Sequence, residues 1–547
     1  MLDLNGNQTT SYDAVHKIWS GAIEPSFYND DISIGQLIFR QLQRDTQRVF
    51  QISVSDNTRL SRGEMLQNAA KVGAYLQQQG FSKDTQFVGI VARNTTHLAA
   101  LAYGCMFNAT PFHAVNPNME ERTVLNLFSI TKPKIICCDA TEYELVKNVA
   151  ATLAASIIIL SGHVAGISNI QDVLQTQLNA NYRPATVECC RNRTLAVLCS
   201  SGTTGTPKAV TISNSRKMFD SHCYLTSSDV QYAPSTLDWL TGLITLITAG
   251  VYGTVRLISK EPYSVDSFLS LCEQHEISWA VLAASHIAML ANSPNVNARQ
   301  LRSLRHLLFA GGHTLVATLQ KMQSHLAGEG ILRNAYGLTE VGTLVSCNYC
   351  THTKPKSVGR LAANMQVRIV DAAGKSLGPN QTGEIYCHNA EHWRGYFGNA
   401  LATAEMQDSA GWFHTGDLGY FDDEHYLYIV ERKKDMLKFL GMMYYPHEIE
   451  EVIARMPQVA EVCVFGIWNE TEGDAAAASI VAKPGAQLRS TQVLEFVRQH
   501  ISVKYKQLNA GAQVIEQLAK SANGKINRQA VKAAYLQATQ KAEIADS

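Results

Sequence analysis

The chain has 547 residues, of which 46% are hydrophobic and 17% charged, with 47 basic and 47 acidic side chains. A formal charge of zero gives no electrostatic case for nucleic acid or an anionic membrane as the main partner. The length exceeds what one compact core supports, so two or more domains are expected.

The opening Met1-Leu-Asp-Leu-Asn-Gly-Asn7 has neither a basic nor an apolar region, so no secretory leader is expected. From about Asp31 to Gln79 the apolar spacing is largely helical: Ile34, Leu37, Ile38 and Leu42, then Met65, Ala69, Val72 and Leu76. Phe87–Ala92 reads as a buried strand, and a helix through Ala99–Cys105 follows. Pro133–Cys138 and Ile157–Leu160 are further short apolar runs. Strands alternating with helices predict an α/β fold, with parallel-rich sheets covered by helices. The longest uncharged apolar stretch, Trp239–Val255, is short for a membrane span and reads as a buried helix followed by a strand.

Twelve cysteines without a leader point to reduced thiols. Cys347-Asn-Tyr-Cys350 lacks the second ligand pair that zinc needs and reads as structural. The terminal Ala545-Asp-Ser547 is not the Ser-Lys-Leu peroxisomal address, so the expected location is intracellular, cytoplasmic or peroxisomal.

One stretch organises the chain. The apolar run Leu195–Cys199 and the β-branched run Val210–Ile212 flank Ser200, Ser201, Gly202, Thr203, Thr204, Gly205, Thr206, Pro207 and Lys208. This predicts strand, loop, strand. Glycines let the backbone approach a ligand, N–H groups and hydroxyls form an anion cradle, and Lys208 adds a charge suited to phosphate. Taken alone, such a run also fits a plain hairpin tip. It is not the common G-x-x-x-x-G-K loop, because Lys208 follows Pro207 and a strand follows.

Four further stretches come in order. Leu307–Leu315 is a strand running into Gly311, Gly312 and His313, a turn that lets backbone lie against a flat ring. Asn334-Ala-Tyr-Gly-Leu-Thr-Glu340 offers an aromatic face at Tyr336, a hydroxyl at Thr339 and a hard carboxylate for magnesium at Glu340. Gly411-Trp-Phe-His-Thr-Gly-Asp417 ends in a Thr-Gly-Asp run that taken alone is a common turn, with a carboxylate at Asp417. Ile429-Val-Glu-Arg-Lys-Lys-Asp-Met-Leu-Lys438 is a charge cluster before a compact α+β tail, which ends in Ser521-Ala-Asn-Gly-Lys-Ile526.

The ordered series resembles the motifs of the adenylate-forming superfamily: acyl-CoA synthetases, 4-coumarate:CoA ligases, beetle luciferases and peptide-synthetase adenylation domains. The resemblance spans about Ile34 to Ala530. It implies a large N-terminal domain, 1–432, and a small mobile α+β domain, 433–547, hinged near Lys434. It further implies activation of a fatty or arylalkyl carboxylic acid by ATP with Mg2+, then transfer of the acyl group to coenzyme A. The partners are thus small molecules, with no nucleic acid and no transmembrane segment.

By the same resemblance the hydroxyl loop from Ser200 to Gly205, with Lys208, holds the outer phosphates. Gly311, Gly312, His313, Tyr336 and Gly337 receive the adenine. Thr339 and Glu340 face phosphate and metal, and Asp417 and Arg432 take the ribose side. Lys525 bridges the acid and the α-phosphate. Lys434, Lys438 and Gly441 make the hinge and CoA side, where a turn about Lys434 would bring Gly441 to a pantetheine tunnel. Trp239 and Thr343 would wall the acid pocket, although Trp239 also fits a core tryptophan. The chain departs from the pattern at His313, at Ala335, at Glu431 and in the pocket histidines that it lacks. These departures motivate an alternative: a degenerate nucleotide-binding regulatory protein. A luciferase-like monooxygenase using Lys438 and adenylation for a carrier protein are further alternatives.

Overall fold

The computed structural model describes residues 9–24, 32–81, 86–200, 207–215, 225–312, 314–326, 330–389, 393–439, 442–469, 472–521 and 524–545. Among the described residues four β-sheets, counted with their described strands, form the frame.

The first sheet has six strands in the spatial order Lys208–Ser213, Thr194–Ser200, Phe112–Ala114, Val88–Val91, Ile135–Cys138 and Ser156–Ile159. Its strands run parallel except for the antiparallel pair Thr194–Ser200 and Lys208–Ser213, in which Lys208 lies opposite Ser200. All seven residues of Thr194–Ser200 are buried, as expected of a strand covered on both faces. The covering helix Leu98–Phe107 is likewise buried along its whole length.

The second sheet has nine strands. Its parallel centre runs through Ile331–Leu338, His306–Ala310, Trp279–Ala283, Val230–Tyr232, Val255–Ile258 and Val49–Ser53. The hairpin Val49–Ser53 and Thr58–Ser61 corrects the helical reading of Asp31–Gln79. Helices do occupy Ile34–Leu42 and Arg62–Gln78, each opened by a capping box, Ser33 with Gln36 and Ser61 with Glu64. Between them, Gln51 pairs across to Arg256, whose guanidinium donates to the Gln51 amide oxygen at 2.6 Å. That partner lies about two hundred residues away, where local spacing has no reach.

The third sheet is antiparallel and includes Gly383–Asn389, Phe413–Phe421 and Leu427–Arg432. Phe413–Phe421 alternates buried and half-buried residues at every step, the signature of a sheet with one face on the core. The fourth sheet belongs to a small C-terminal domain. It joins Met442–Tyr444, Leu437–Phe439, Gly473–Ala482 and Val459–Asn469, with Ala512–Ile515 added in parallel. Ile449, Ile453, Val464, Ile480, Val493 and Val497 belong to a core of its own. Among the described residues, no helix is long and apolar enough to cross a membrane.

Candidate functional site

Strand ends of the first three sheets, with residues of the small domain, line a cavity of about 890 Å³. Those of the expected nucleotide-side residues that are described lie on its wall. Strand His306–Ala310 delivers Gly311 and Gly312. The adjacent strand, in register with Ala310 opposite Ala335, delivers Tyr336 and Gly337. The antiparallel sheet delivers Asp417 directly opposite Arg432. The Arg432 Nε lies 2.6 Å from Asp417 Oδ1, and the Tyr336 hydroxyl donates to Asp417 Oδ2 at 2.6 Å. Burial pushes the Asp417 carboxyl above the usual carboxylate range, while Arg432 and the Tyr336 hydroxyl oppose that rise. The same burial, with Asp417 beside it, raises the Tyr336 phenol.

Lys208 and Glu340 meet through a residue that the sequence reading missed. The Lys208 ammonium lies 4.8 Å from the centroid of the Tyr396 ring, and the Tyr396 hydroxyl donates to Glu340 Oε1 at 3.0 Å. Backbone pairing explains the meeting. Phe397 N–H donates to Ala209 O and Thr211 N–H to Gly395 O, so this segment lies along the strand that starts with Lys208. Gly395 has a positive φ of 87°, and a Cβ there would strike Thr403 at 2.5 Å. The available signal was an aromatic directly after a glycine that nothing else explained. Ser200 and Thr339 line the cavity with this group. Among the described residues no cluster of three or more His, Cys, Asp or Glu could cage a metal. A single hard carboxylate fits an ion such as magnesium, which keeps waters and shares substrate phosphates.

Lys525 reaches the same cavity from the small domain. A Cβ added to Gly311 would lie 3.0 Å from Lys525 Cε and 3.3 Å from its Nζ. Lys525 meets solvent within the cavity and is also walled by protein. Desolvation by those walls, together with Arg432, holds its ammonium down to about 8 against the pull of Asp417. Gly311 has a φ of 87°, a region that costs L-residues about 1 to 2 kcal/mol. Gly311→Ala is therefore expected to displace Lys525 and slow adenylate formation about tenfold, read as ATP–pyrophosphate exchange. Unchanged exchange in a folded variant would show that the close approach is not used.

The family profile described as AMP-binding enzyme matches residues 38–397, and that for the AMP-binding enzyme C-terminal domain matches 448–525. The chain belongs to the adenylate-forming AMP-binding enzymes. A 4-coumarate–CoA ligase-like protein of Arabidopsis thaliana is 26% identical over 520 residues, covering 91% of this chain and 93% of that protein. A luciferin 4-monooxygenase of Photuris pensylvanica is 28% identical over 435 residues, covering 75% and 78%. The crystal structure of ATP-bound MatB from Rhodopseudomonas palustris shares the fold at a TM-score of 0.82, with 20% identity, covering 92% of this chain and 99% of that one.

The remaining expected positions of this adenylate-forming enzyme divide three ways. Trp239, Thr343 and Lys434 line the cavity. Lys438 does not line the cavity and is exposed on strand Leu437–Phe439. Ser201, Gly202, Thr203, Thr204, Gly205, His313 and Gly441 lie outside the described residues. Ala335, which departs from the motif, is buried in a cluster with Val281, Leu308 and Cys347. Asp238, in the stretch without the pocket histidines of the family pattern, is buried and accepts from Asn116 at 3.0 Å.

Proposed function

We propose that the chain is an ATP-dependent acid:CoA ligase that activates a fatty or arylalkyl carboxylic acid, with domains of 1–432 and 433–547 hinged near Lys434. One observation carries this reading. A lysine from the small domain faces Gly311 and the Arg432–Asp417–Tyr336 set, in a cavity also lined by Lys208 and Glu340. That arrangement suits a reaction between two anions. The acid is already ionised at neutral pH, so no base is required. The protein's task is to align the carboxylate with the α-phosphorus and to neutralise the charge that develops.

In this reading Asp417 and Arg432 orient the ribose, and Tyr336 and the Gly311–Gly312 backbone flank the adenine. Lys208 draws the outer phosphates, and Lys525 holds the carboxylate against the α-phosphate. Glu340 would hold Mg2+, which supplies charge neutralisation at the phosphates. A turn about Lys434 would then withdraw Lys525 and admit the thiol of CoA, which displaces AMP from the acyl carbonyl. The ligase names among its relatives favour CoA as the acceptor.

Pyrophosphate release tests the proposal, with ATP, magnesium and a panel of acids from short to long chain plus cinnamate types, with and without CoA. Release that needs an acid and rises with CoA is expected. Release that ignores CoA would favour transfer to a carrier protein. Silence across the panel with ATP still bound would favour the degenerate nucleotide-binding protein.

A further inference from the structure

Strand Leu427–Arg432 ends the antiparallel sheet, and successive strand residues point to opposite sides. Arg432 points to Asp417. Glu431 points towards the small domain. Its Oε1 accepts the Arg432 N–H at 3.1 Å, and its Oε2 lies 3.5 Å from His447 Nδ1 and 4.0 Å from Arg528 Nη2. His447 sits in the first turn of helix Pro446–Ile453. Arg528 is held from its other side: Nη1 lies 3.3 Å from Glu450 Oε1 and donates to Val464 O at 2.6 Å. Glu450 also accepts the Val464 N–H at 2.8 Å. Arg528 is therefore fixed within the small domain, three residues after Lys525.

We propose that Glu431 and His447 form a latch between the two domains, and that Glu431 is thereby a positioning residue that holds Lys525 in its adenylate-forming place. The inference rests on the adenylation reading above. Side-chain length is the specific element. An aspartate would retract the carboxylate by one C–C bond, about 1.5 Å. His447, already 3.5 Å away and not hydrogen-bonded to this oxygen, would then lose the contact. Despite its burial, Glu431 titrates below the usual carboxylate range, because His447 and Arg528 favour its charged form. The glutamate at this position, a departure from the family pattern, thus has a partner in the small domain.

The latch acts in one half of the reaction only, so the two halves separate it from a structural role. Glu431→Gln and Glu431→Asp are each expected to slow ATP–pyrophosphate exchange about tenfold, while thiolysis of a preformed acyl-adenylate stays within twofold of wild type. His447→Ala should have the same effect, and adding it to Glu431→Gln should cost nothing further. An equal fall in both half-reactions would mark a merely structural role and overturn the proposal, as would no fall in either.

Hydrogen exchange of the amides at 443–447 and 525–528, without substrate, reads the latch independently of turnover. Faster exchange in Glu431→Gln, but not in the surface control Glu495→Gln, supports it. Unchanged exchange overturns it. A wild-type chain with no exchange activity toward any acid, but with these amides loosened in Glu431→Gln, would fault the adenylation reading and leave the latch standing.

Discussion

Lys525→Ala is expected to lower acid-dependent pyrophosphate release by about 10²- to 10³-fold, with thiolysis of a preformed acyl-adenylate within a few fold of wild type. The magnitude is that of removing one pre-aimed group from a developing charge, about 3 to 4 kcal/mol. The split between half-reactions follows from position. Lys525 comes from the small domain and lies against Gly311, so in the proposed function it serves the step that needs the domains as they stand.

The pH dependence has a definite sign. The ammonium of the free protein titrates near 8. It is charged below that value and neutral above it. The kcat/KM for adenylation, which reports the free enzyme, should therefore fall above about pH 8, towards about tenfold per pH unit. Bound carboxylate and phosphate favour the charged form, so kcat should hold to higher pH. Stability moves the opposite way. An unfolded lysine titrates near 10.5. Between about 8 and 10.5 the unfolded chain binds more protons, and stability rises with pH across that window. Lys525→Ala should remove both effects together. An alkaline limb that survives in Lys525→Ala would assign it to another group.

The lining of the cavity was legible because each described part of it is a local pattern. Gly311-Gly312, Tyr336 to Glu340, Asp417, Arg432 and Lys525 each sit in a short run whose residue types suit one task, and their order along the chain did the rest. What was not legible depends on pairing between distant segments. Tyr396 stands between Lys208 and Glu340 only because its backbone pairs with the strand Lys208–Ser213. The segment Val49–Ser61 was read as part of a helical region because its partner strand, Val255–Ile258, lies far along the chain. Glu431 was visible as a substitution, but its direction was set by strand alternation against a domain that follows it. Ala335 looked like a possible defect, and its methyl is accommodated in a buried cluster.

Asp417→Ala is expected to raise the KM for ATP about 10²-fold and to lower the melting temperature. Asp417 is 3% exposed and carries two charge-assisted contacts, to Arg432 and to the Tyr336 hydroxyl, each 2.6 Å long. Hydrogen bonds to a charged group contribute about 1.5 to 3 kcal/mol each. The Arg432 share belongs at the low end, because its side chain is 41% exposed and water takes over part of the contact. Removing the carboxylate leaves the Tyr336 hydroxyl without its acceptor and frees Arg432 to swing away from its present place in the cavity.

Asp417→Asn separates these effects. It keeps an acceptor for Tyr336 and should recover most of the melting temperature, yet without its charge it cannot hold Arg432, and the KM for ATP should stay high. Arg432→Ala added to Asp417→Ala should then cost little more in KM, since the two act as one unit. The field on Lys525 gives a further signature. Asp417 is the group that pulls its ammonium upward against Arg432 and burial. In Asp417→Asn that pull is gone, so the alkaline limb of adenylation should move below its wild-type position near pH 8. A limb that stays in place would show that Asp417 leaves the Lys525 ammonium untouched.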